Sequence, residues 1–389
     1  MEKLKLYITL FLVSFYNLAG HSSENQEEGL CKIDHQQCHP FEILIDYRFS
    51  DPSLLQKASA PRTPAFERLE FLGDRVLGLA IAHSLYHTYP SAKVEELAQL
   101  FESLTSKKIL AEIYENLEIP TTLISSEFYN PPLAEFIAEK TASDIVEALL
   151  GAVYTDKGME LSQECVKKLF SNFIKGAQKG KPVFSFSPSQ HALSSPDLSV
   201  LQRRISYHFK NVLVLQGAFI HPSAGGRSFT KLAFMGTRIL ALSVAKHVFD
   251  MNPHDNESLL TKAFIEKVNT PNLQQIFEKW QFGCFLIRKG GGLGSLLRSP
   301  HTSPRIAAQT IQALLGAVYL DGKELAARAL IQRLFFSDPP QNLEPSEKER
   351  LRSTLKNSLL GERTREPQIY RTFPAKKEFS FSKEEWPTL

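Results

Sequence analysis

The chain has 389 residues, of which 43% are hydrophobic. This length is sufficient for two ordinary globular domains, and this hydrophobic content is typical of a chain that buries a core. The formal net charge is only +3, so the chain does not have the strongly basic overall composition of many nucleic-acid-binding proteins. Any nucleic-acid-binding surface must therefore come from local basic patches.

The first 20 residues have the pattern of a secretory signal peptide, because a charged start is followed by an apolar run over residues 6–19 that ends in small residues. An ordinary N-terminal extension is an equal alternative, since Asn17 interrupts the apolar run. The run is too short to span a bilayer comfortably. No other stretch predicts a membrane span, so we expect no stable membrane partner.

Residues 21–40 form a polar segment that carries four zinc-type ligands within nine residues, namely Cys31, His35, Cys38 and His39. No second cluster accompanies them, so a structural metal is the lesser of two alternatives. Only Cys165 and Cys284 remain, too few for a disulfide scaffold. This cysteine usage suits a reducing compartment. We therefore expect a cytoplasmic protein, with export as the alternative if residues 1–20 are cleaved.

The stretch 67–77 carries three acids in an otherwise apolar helical pattern. Glu67, Glu70 and Asp74 follow the spacing i, i+3, i+7, which stacks them along one helix face. Acids on a buried helix need a compensating cation, and a hard divalent ion such as Mg²⁺ or Mn²⁺ is the simplest one. The alternative is a solvated face on which the acids pair with Arg68 and Arg75.

A second acidic pair, Asp144 and Glu147, lies at i, i+3 in another apolar helical pattern over residues 144–154. Two such helices could pool four carboxylates around shared metal ions. The segments 67–80 (ERLEFLGDRVLGLA) and 142–158 (ASDIVEALLGAVYTDKG) together resemble the two signature segments of the ribonuclease III domain, which is an all-helical endonuclease fold.

The resemblance implies roles for individual residues. It implies that Glu70, Asp144 and Glu147 are metal ligands, and that Asp74 orients ligands or waters beside them, so that these four acids form the catalytic set. Glu67 matches a family acid near the cleavage site, with helix capping or pairing to Arg68 as an equal alternative. Lys140 matches a lysine that offsets phosphate charge in Dicer-type domains, although a solvated surface role is favoured for a single lysine.

The chain then repeats itself, since residues 207–215, 232–240 and 312–322 echo residues 47–55, 69–77 and 147–157. The second copy keeps the apolar and glycine positions but loses all five acids of the two acidic motifs. The five acids are replaced, in order, by Thr230, Ala233, Thr237, Gln309 and Gln312. Because a hard cation needs anionic oxygens, we expect the second copy to bind no Mg²⁺ of its own.

The predicted domain order follows from the repeat. Residues 41–180 form a ribonuclease III domain with the full acid set, residues 181–200 a Ser/Pro linker, and residues 201–337 a degenerate second domain. The charged tail, 338–389, reads as a remnant of a double-stranded-RNA-binding domain or as a disordered segment. The predicted fold class is all-α, with two tandem domains docked as an intramolecular pseudo-dimer, similar to the arrangement in Dicer and Drosha.

The resemblance implies a Mg²⁺-dependent endoribonuclease that acts on double-stranded RNA in RNA processing and leaves 5′-phosphate and 3′-hydroxyl ends. One intact centre per chain predicts a nick rather than a double cut, unless two chains form a homodimer through their first domains. The alternative function is a non-catalytic double-stranded-RNA-binding or ribosome-associated protein. The sequence does not identify the biological RNA.

Overall fold

A computed structural model describes residues 39–120, 137–174, 195–288 (except 225 and 227) and 302–339, together with residues 123–124, 126, 343–344 and 346–347. The chain divides into two compact units, Met1–Arg48 and Phe49–Leu389. The second unit contains both acidic motifs and all the repeated segments of the second copy. The linker and tail predictions fall mostly outside the described residues, and the domain boundaries given above stay predictions.

The described part of the first unit is one short helix, α1 (Pro40–Ile45). His39 caps its N-terminus, because the His39 Nδ1 accepts a hydrogen bond from the backbone N–H of Phe41 at 3.2 Å and the Glu42 carboxylate accepts one from the N–H of His39 at 3.1 Å. The signal-like residues 1–20 and the other three candidate zinc ligands, Cys31, His35 and Cys38, lie outside the described residues.

The described part of the first copy is mainly helical. In chain order its helices are α2 (Pro52–Ala58), α3 (Pro64–Thr88), α4 (Val94–Leu104), α5 (Lys107–Asn116), α6 (Glu139–Lys157) and α7 (Met159–Leu169). Helices α4 and α5 are separate, because the Ser106 side chain caps the N-terminus of α5 just after α4 ends. The long helices α3 and α6 carry the two acidic motifs and pack against each other.

Two glycines set the close crossing of α3 and α6. A Cβ on Gly73 would lie 1.7 Å from the carbonyl oxygen of Glu147, and a Cβ on Gly151 would lie 2.1 Å from that of Leu69. Only glycine permits this backbone approach. The crossing therefore brings the acidic residues of α3 directly against those of α6.

The second copy repeats this architecture. Its helices are α8 (Ser195–Ile205), α9 (Val212–Phe219), α10 (Phe229–Met251), α11 (Glu257–Val268), α12 (Thr270–Lys279) and α13 (Pro304–Phe336). A Cβ on Gly236 would lie 1.6 Å from the carbonyl oxygen of Gln312, and one on Gly316 would lie 2.0 Å from that of Leu232. These contacts match those of Gly73 and Gly151, so α10 and α13 cross as α3 and α6 do.

Smaller features are also duplicated. The Asp156 carboxylate accepts hydrogen bonds from the N–H groups of Ser50 and Asp51, and the Asp321 carboxylate accepts them from the matching residues Lys210 and Asn211. Helices α6 and α7 are separated at Gly158, with φ 79°, whereas α13 runs through the matching break at Lys323, with φ 61°. The repeat is therefore one of backbone geometry as well as of sequence.

The two copies pack face to face through a reciprocal contact. The Arg75 guanidinium lies over the rings of Phe71, in its own copy, and Phe264, in the other, at 4.3 and 5.1 Å. At the matching positions, Arg238 lies 4.2 Å from the ring of Phe234 and 4.3 Å from that of Phe101. Such reciprocity is expected when two similar surfaces pair about an approximate two-fold axis.

Other interdomain contacts differ between the two sides. Arg68 donates hydrogen bonds to the carbonyl oxygens of Phe249, Asn252 and Asp255 at 2.7–2.8 Å. Lys231, at the matching position, donates to the carbonyl oxygen of Pro90 at 2.8 Å. The two faces of the interface therefore follow one approximately two-fold arrangement but have diverged in individual contacts.

Helix α10 is the one helix among the described residues that is long and apolar enough to cross a membrane by length and composition, and 67% of its most apolar window is buried in the protein. It packs against α13 on one side and α3 on the other. This double burial accounts for its composition. The described residues form no strand, and their extended pairing is limited to isolated bridges such as that between Ile220 and Ile287. The all-α prediction is confirmed.

Candidate metal centre

Three predicted site residues come together where α3 crosses α6. One carboxylate oxygen from each of Glu70, Asp144 and Glu147 lies within 4.8 Å of the others. Glu70 comes from α3, and Asp144 and Glu147 are neighbours one turn apart on α6. All three residues are half-buried, so the cluster faces an opening while its side chains are partly shielded from water.

The electrostatics of the cluster are unfavourable without a cation. Burial, followed by the nearby Asp74, Glu70 and Asp144, raises the pKa of Glu147 to about 9. Burial and Asp144 raise the pKa of Glu70 to about 7, although Lys140 opposes the shift. Like charges in a partly dehydrated site disfavour one another's ionised forms. At neutral pH the cluster therefore holds protons that a bound cation would displace.

Lys140 is one protein cation at the cluster. Its Nζ donates to the Asp144 carboxylate at 2.7 Å, while its side chain is 70% exposed against 14% for that of Asp144. The hydrogen bond with Asp144 is also the main reason that the pKa of Lys140 is raised. Lys140 thus compensates one of the three carboxylates and still presents its charge to solvent.

Asp74 lies at the edge of the site and not within the three-residue group. Its side chain is 53% exposed, and its carboxylate pairs with the Arg75 guanidinium at 3.0 Å. It is close enough to raise the pKa of Glu147. Glu67 is half-buried and close enough to contribute to the raised pKa of Glu70. Both acids therefore extend the negative potential of the site along α3.

The second copy also contributes charge to this site, which the sequence pattern did not predict. Glu257, the first residue of α11, helps to raise the pKa of Glu70. Its carboxylate accepts a hydrogen bond from the Thr261 hydroxyl at 2.8 Å. No spacing rule within one helix points to Glu257, because it reaches the site only through the pairing of the two copies.

The donor set fits a hard divalent cation. Three carboxylates from two rigid helices offer oxygen ligands, which Mg²⁺ and Mn²⁺ prefer, and no sulfur or imidazole ligand takes part among the described residues. The raised pKa values show that the protein alone leaves the negative charge undercompensated. The structure therefore contains a carboxylate cluster suited to a metal.

The corresponding crossing in the second copy holds no such cluster. Thr237 donates its hydroxyl hydrogen bond to the carbonyl of Ala233 at 2.8 Å, and Gln309 and Gln312 stand where Asp144 and Glu147 stand in the first copy. The helix crossing has been kept while every anionic ligand at these positions has been lost.

Comparison with known proteins agrees with this geometry. Residues 67–158 match the family model of the ribonuclease III domain, and residues 212–338 match that of the ribonuclease-III-like domain. The chain carries two ribonuclease III domains in tandem. The first ribonuclease III domain holds the carboxylate cluster, and the second is the degenerate copy.

Relatives cover only part of the chain. Ribonuclease 3 of Pelagibacter ubique is 39% identical over 137 residues, which are 34% of this chain and 61% of that protein. Ribonuclease 3 of Leptospira interrogans is 33% identical over 135 residues, which are 35% of this chain and 54% of that protein. The chain thus spans between half and two thirds of the length of these relatives.

One solved structure covers both ribonuclease III domains more broadly. The crystal structure of Dicer from Giardia intestinalis aligns with 73% of this chain and 56% of that one, with a TM-score of 0.50 and 15% sequence identity. At this identity the likeness concerns the fold alone. It supports the tandem arrangement of the two helical domains.

Proposed function

We propose that this chain is a divalent-metal-dependent endoribonuclease that hydrolyses phosphodiester bonds of double-stranded RNA at one active centre per chain. The observation that carries the proposal is the approach of the Glu70, Asp144 and Glu147 carboxylates to within 4.8 Å. A non-catalytic RNA-binding protein would have no use for this arrangement, because close and partly buried carboxylates without a cation destabilise the fold.

Mg²⁺ is the proposed ion, with Mn²⁺ as a substitute, and Glu70, Asp144 and Glu147 are the proposed ligands. When bound to such a site, divalent ions activate the attacking water and neutralise charge on the phosphate and on the leaving oxygen. Asp74 is exposed and is held by Arg75, so we assign it to orienting waters or ligands at the rim. Lys140 leaves its charge exposed, where it can offset a phosphate.

The pairing of copies favours a single chain over a homodimer of first copies. The face of the first copy that would form such a homodimer is covered by the second copy, through the reciprocal contacts of Arg75 and Arg238. The Tyr154 hydroxyl adds a hydrogen bond to the Glu324 carboxylate of the second copy at 2.6 Å. Two chains could pair through their first copies only after these contacts had opened.

One active centre predicts one cut strand per binding event. A long duplex has a local two-fold axis, so it can bind in either orientation and either strand can enter the active centre. Single-turnover reactions on a duplex labelled at one 5′ end, and separately at the other, should therefore give cuts in both strands on a denaturing gel. A native gel should show the duplex still intact, because each molecule carries a nick.

Metal dependence and residue dependence complete the test. Cutting should require Mg²⁺ or Mn²⁺, stop in EDTA, and leave 5′-phosphate and 3′-hydroxyl ends. Glu147→Gln, which introduces the residue that the second copy already has, should abolish cutting while the protein still folds. Full activity of Glu147→Gln, or cutting in EDTA, would refute the assignment. Staggered double cuts in a single turnover would instead refute the single-centre proposal and favour a homodimer.

We also propose a cytoplasmic location, because four cysteines in 389 residues are too few for a disulfide scaffold and this cysteine usage suits a reducing compartment. N-terminal sequencing of the protein purified from its own cells tests this proposal. A mature chain that begins near residue 21 would indicate export instead.

A further inference from the structure

In the second copy, the crossing of α10 and α13 corresponds to the metal centre of the first copy. This degenerate crossing differs from the metal centre in charge rather than in shape. The glycine contacts of Gly236 and Gly316 reproduce those of Gly73 and Gly151, so side chains at matching positions occupy matching places. In the first copy these places hold five acids. In the second copy they hold Thr230, Ala233, Thr237, Gln309 and Gln312, which are neutral and, apart from Ala233, carry hydrogen-bond donors.

The cation of the centre, by contrast, has been kept. Arg305 is the second residue of α13, as Lys140 is the second residue of α6. Lys140 is paired with Asp144, whereas the residue four positions after Arg305 is Gln309, which has no charge. Arg305 is exposed, and among the described residues it takes part in no ion pair. Its charge is therefore available to a ligand.

Other charges around this crossing are balanced. Glu96 and Glu102 come from α4 of the first copy, where Glu96 lies near Lys231 and Glu102 near Arg238. Each of these acids thus faces a cation of the second copy. These two acids and two cations cancel, so Arg305 makes the sum of the five charges +1, whereas the metal centre is strongly negative.

The approximate two-fold axis between the copies relates the two crossings to each other, as the reciprocal contacts of Arg75 and Arg238 show. Duplex RNA has the same kind of local symmetry. A duplex placed with one strand at the metal centre therefore presents the backbone of its other strand to the degenerate crossing.

We propose that the acid-free crossing of the second copy binds the sugar-phosphate backbone of the uncut strand without a metal ion, through Arg305 with hydrogen bonds from Gln309 and Gln312. This inference rests on the proposed function. A phosphate approaching the metal centre needs divalent ions to overcome repulsion from the acids, whereas at the degenerate crossing it meets a cation and amide donors. The loss of the acids thus converts a second cutting site into a metal-independent backbone contact.

The test uses the full chain made inactive by Glu147→Gln and a short fluorescent blunt-ended RNA duplex, with anisotropy titrations in EDTA at several salt concentrations. Adding Arg305→Ala should weaken binding about fivefold and lower the slope of log affinity against log salt by about one, as expected for one lost phosphate contact. Gln309→Asp with Gln312→Glu should weaken binding by about tenfold or more in EDTA, because the new carboxylates repel phosphate.

The matched control is Lys279→Ala, which removes an exposed cation from α12 of the same copy, where it is paired with Asp338 at 3.3 Å. It should change the affinity by less than about twofold and leave the salt slope unchanged, because it removes no phosphate contact. If Arg305→Ala behaves like Lys279→Ala while its melting temperature matches that of the parent, the inference is overturned.

The two hypotheses fail separately. If the catalytically intact chain does not cut RNA but Arg305→Ala still lowers affinity and salt slope, the proposed function fails and the backbone contact stands. If the intact chain nicks RNA and Arg305 has no effect on binding in EDTA, the backbone contact fails and the nuclease assignment stands.

Discussion

Gly73→Ala should disturb the geometry of the metal centre more than it disturbs the stability of the protein. The new Cβ would lie 1.7 Å from the carbonyl oxygen of Glu147, whereas real Cβ atoms essentially never lie closer than 3.0 Å to a neighbour. The obstacle is backbone, so no side-chain rotation relieves it. The crossing must open by about 1.3 Å in a close-packed interior.

The expected magnitudes follow from this displacement. Overpacking of this kind costs about 1–3 kcal/mol or more, and the better helix propensity of alanine returns up to about 1 kcal/mol, so we expect a net loss of about 2 kcal/mol. The effect on chemistry is larger. Glu147 moves away from Glu70 with its helix, and a misplacement of about 1 Å in a catalytic site costs about 100-fold in rate.

The assay pairs thermal unfolding with single-turnover cutting of duplex RNA, and Gly78→Ala is the control. Gly78 lies on the same helix, but its added Cβ would meet the nearest atom, on the Phe101 ring, at 3.7 Å, which is ordinary contact. Gly78→Ala should keep its activity and gain up to about 1 kcal/mol. Equal activity of Gly73→Ala and Gly78→Ala would refute the view that the glycine crossing positions the acids.

Three further outcomes are expected. In EDTA, Glu147→Gln should melt at a higher temperature than the parent at pH 8, and this advantage should shrink towards pH 5. A carboxyl whose pKa rises from 4.5 unfolded to about 9 folded costs stability as pH increases between those values; a constant difference across this range would contradict the pKa assignment. Binding of Mn²⁺ at pH 7 should release about 1.5 protons per chain, because at this pH the free protein has Glu147 protonated and Glu70, with a pKa of about 7, half protonated. Calorimetry in buffers of different ionisation enthalpy measures the number of protons released. Zero release would contradict these raised pKa values. Arg68→Ala should destabilise the chain by about 2–4 kcal/mol, since it removes three hydrogen bonds between the copies. Lys231→Ala, at the matching position, should cost less than about 1 kcal/mol. Comparable melting temperatures for the two variants would show that Arg68 does not stabilise the interface more than Lys231 does.

The sequence predicted the helices and the grouping of the acids because both depend on local periodicity. The spacing of Glu70 and Asp74 along α3, and of Asp144 and Glu147 along α6, is fixed by the helix itself. That the two helices meet at this point was inferred from a resemblance. The structure adds the physical cause, which is the pair of glycines at positions 73 and 151.

Features that depend on the pairing of the copies could not be predicted from spacing. Pairing of Arg68 with the neighbouring acids was one of two alternatives, but its guanidinium donates to three backbone carbonyls of the other copy. Backbone acceptors leave no mark in the sequence. Glu257 was missed for the same reason, because it approaches Glu70 across the interface and belongs to a helix with no acidic motif of its own.

The reciprocal stacking of Arg75 and Arg238 joins two halves of one polypeptide. An enzyme that assembles from separate subunits loses its partner on dilution, whereas a covalently linked partner is present at an effective concentration that dilution does not change. Cutting per molecule of this chain should therefore stay constant as the protein is diluted far below the level at which a two-subunit nuclease would fall apart.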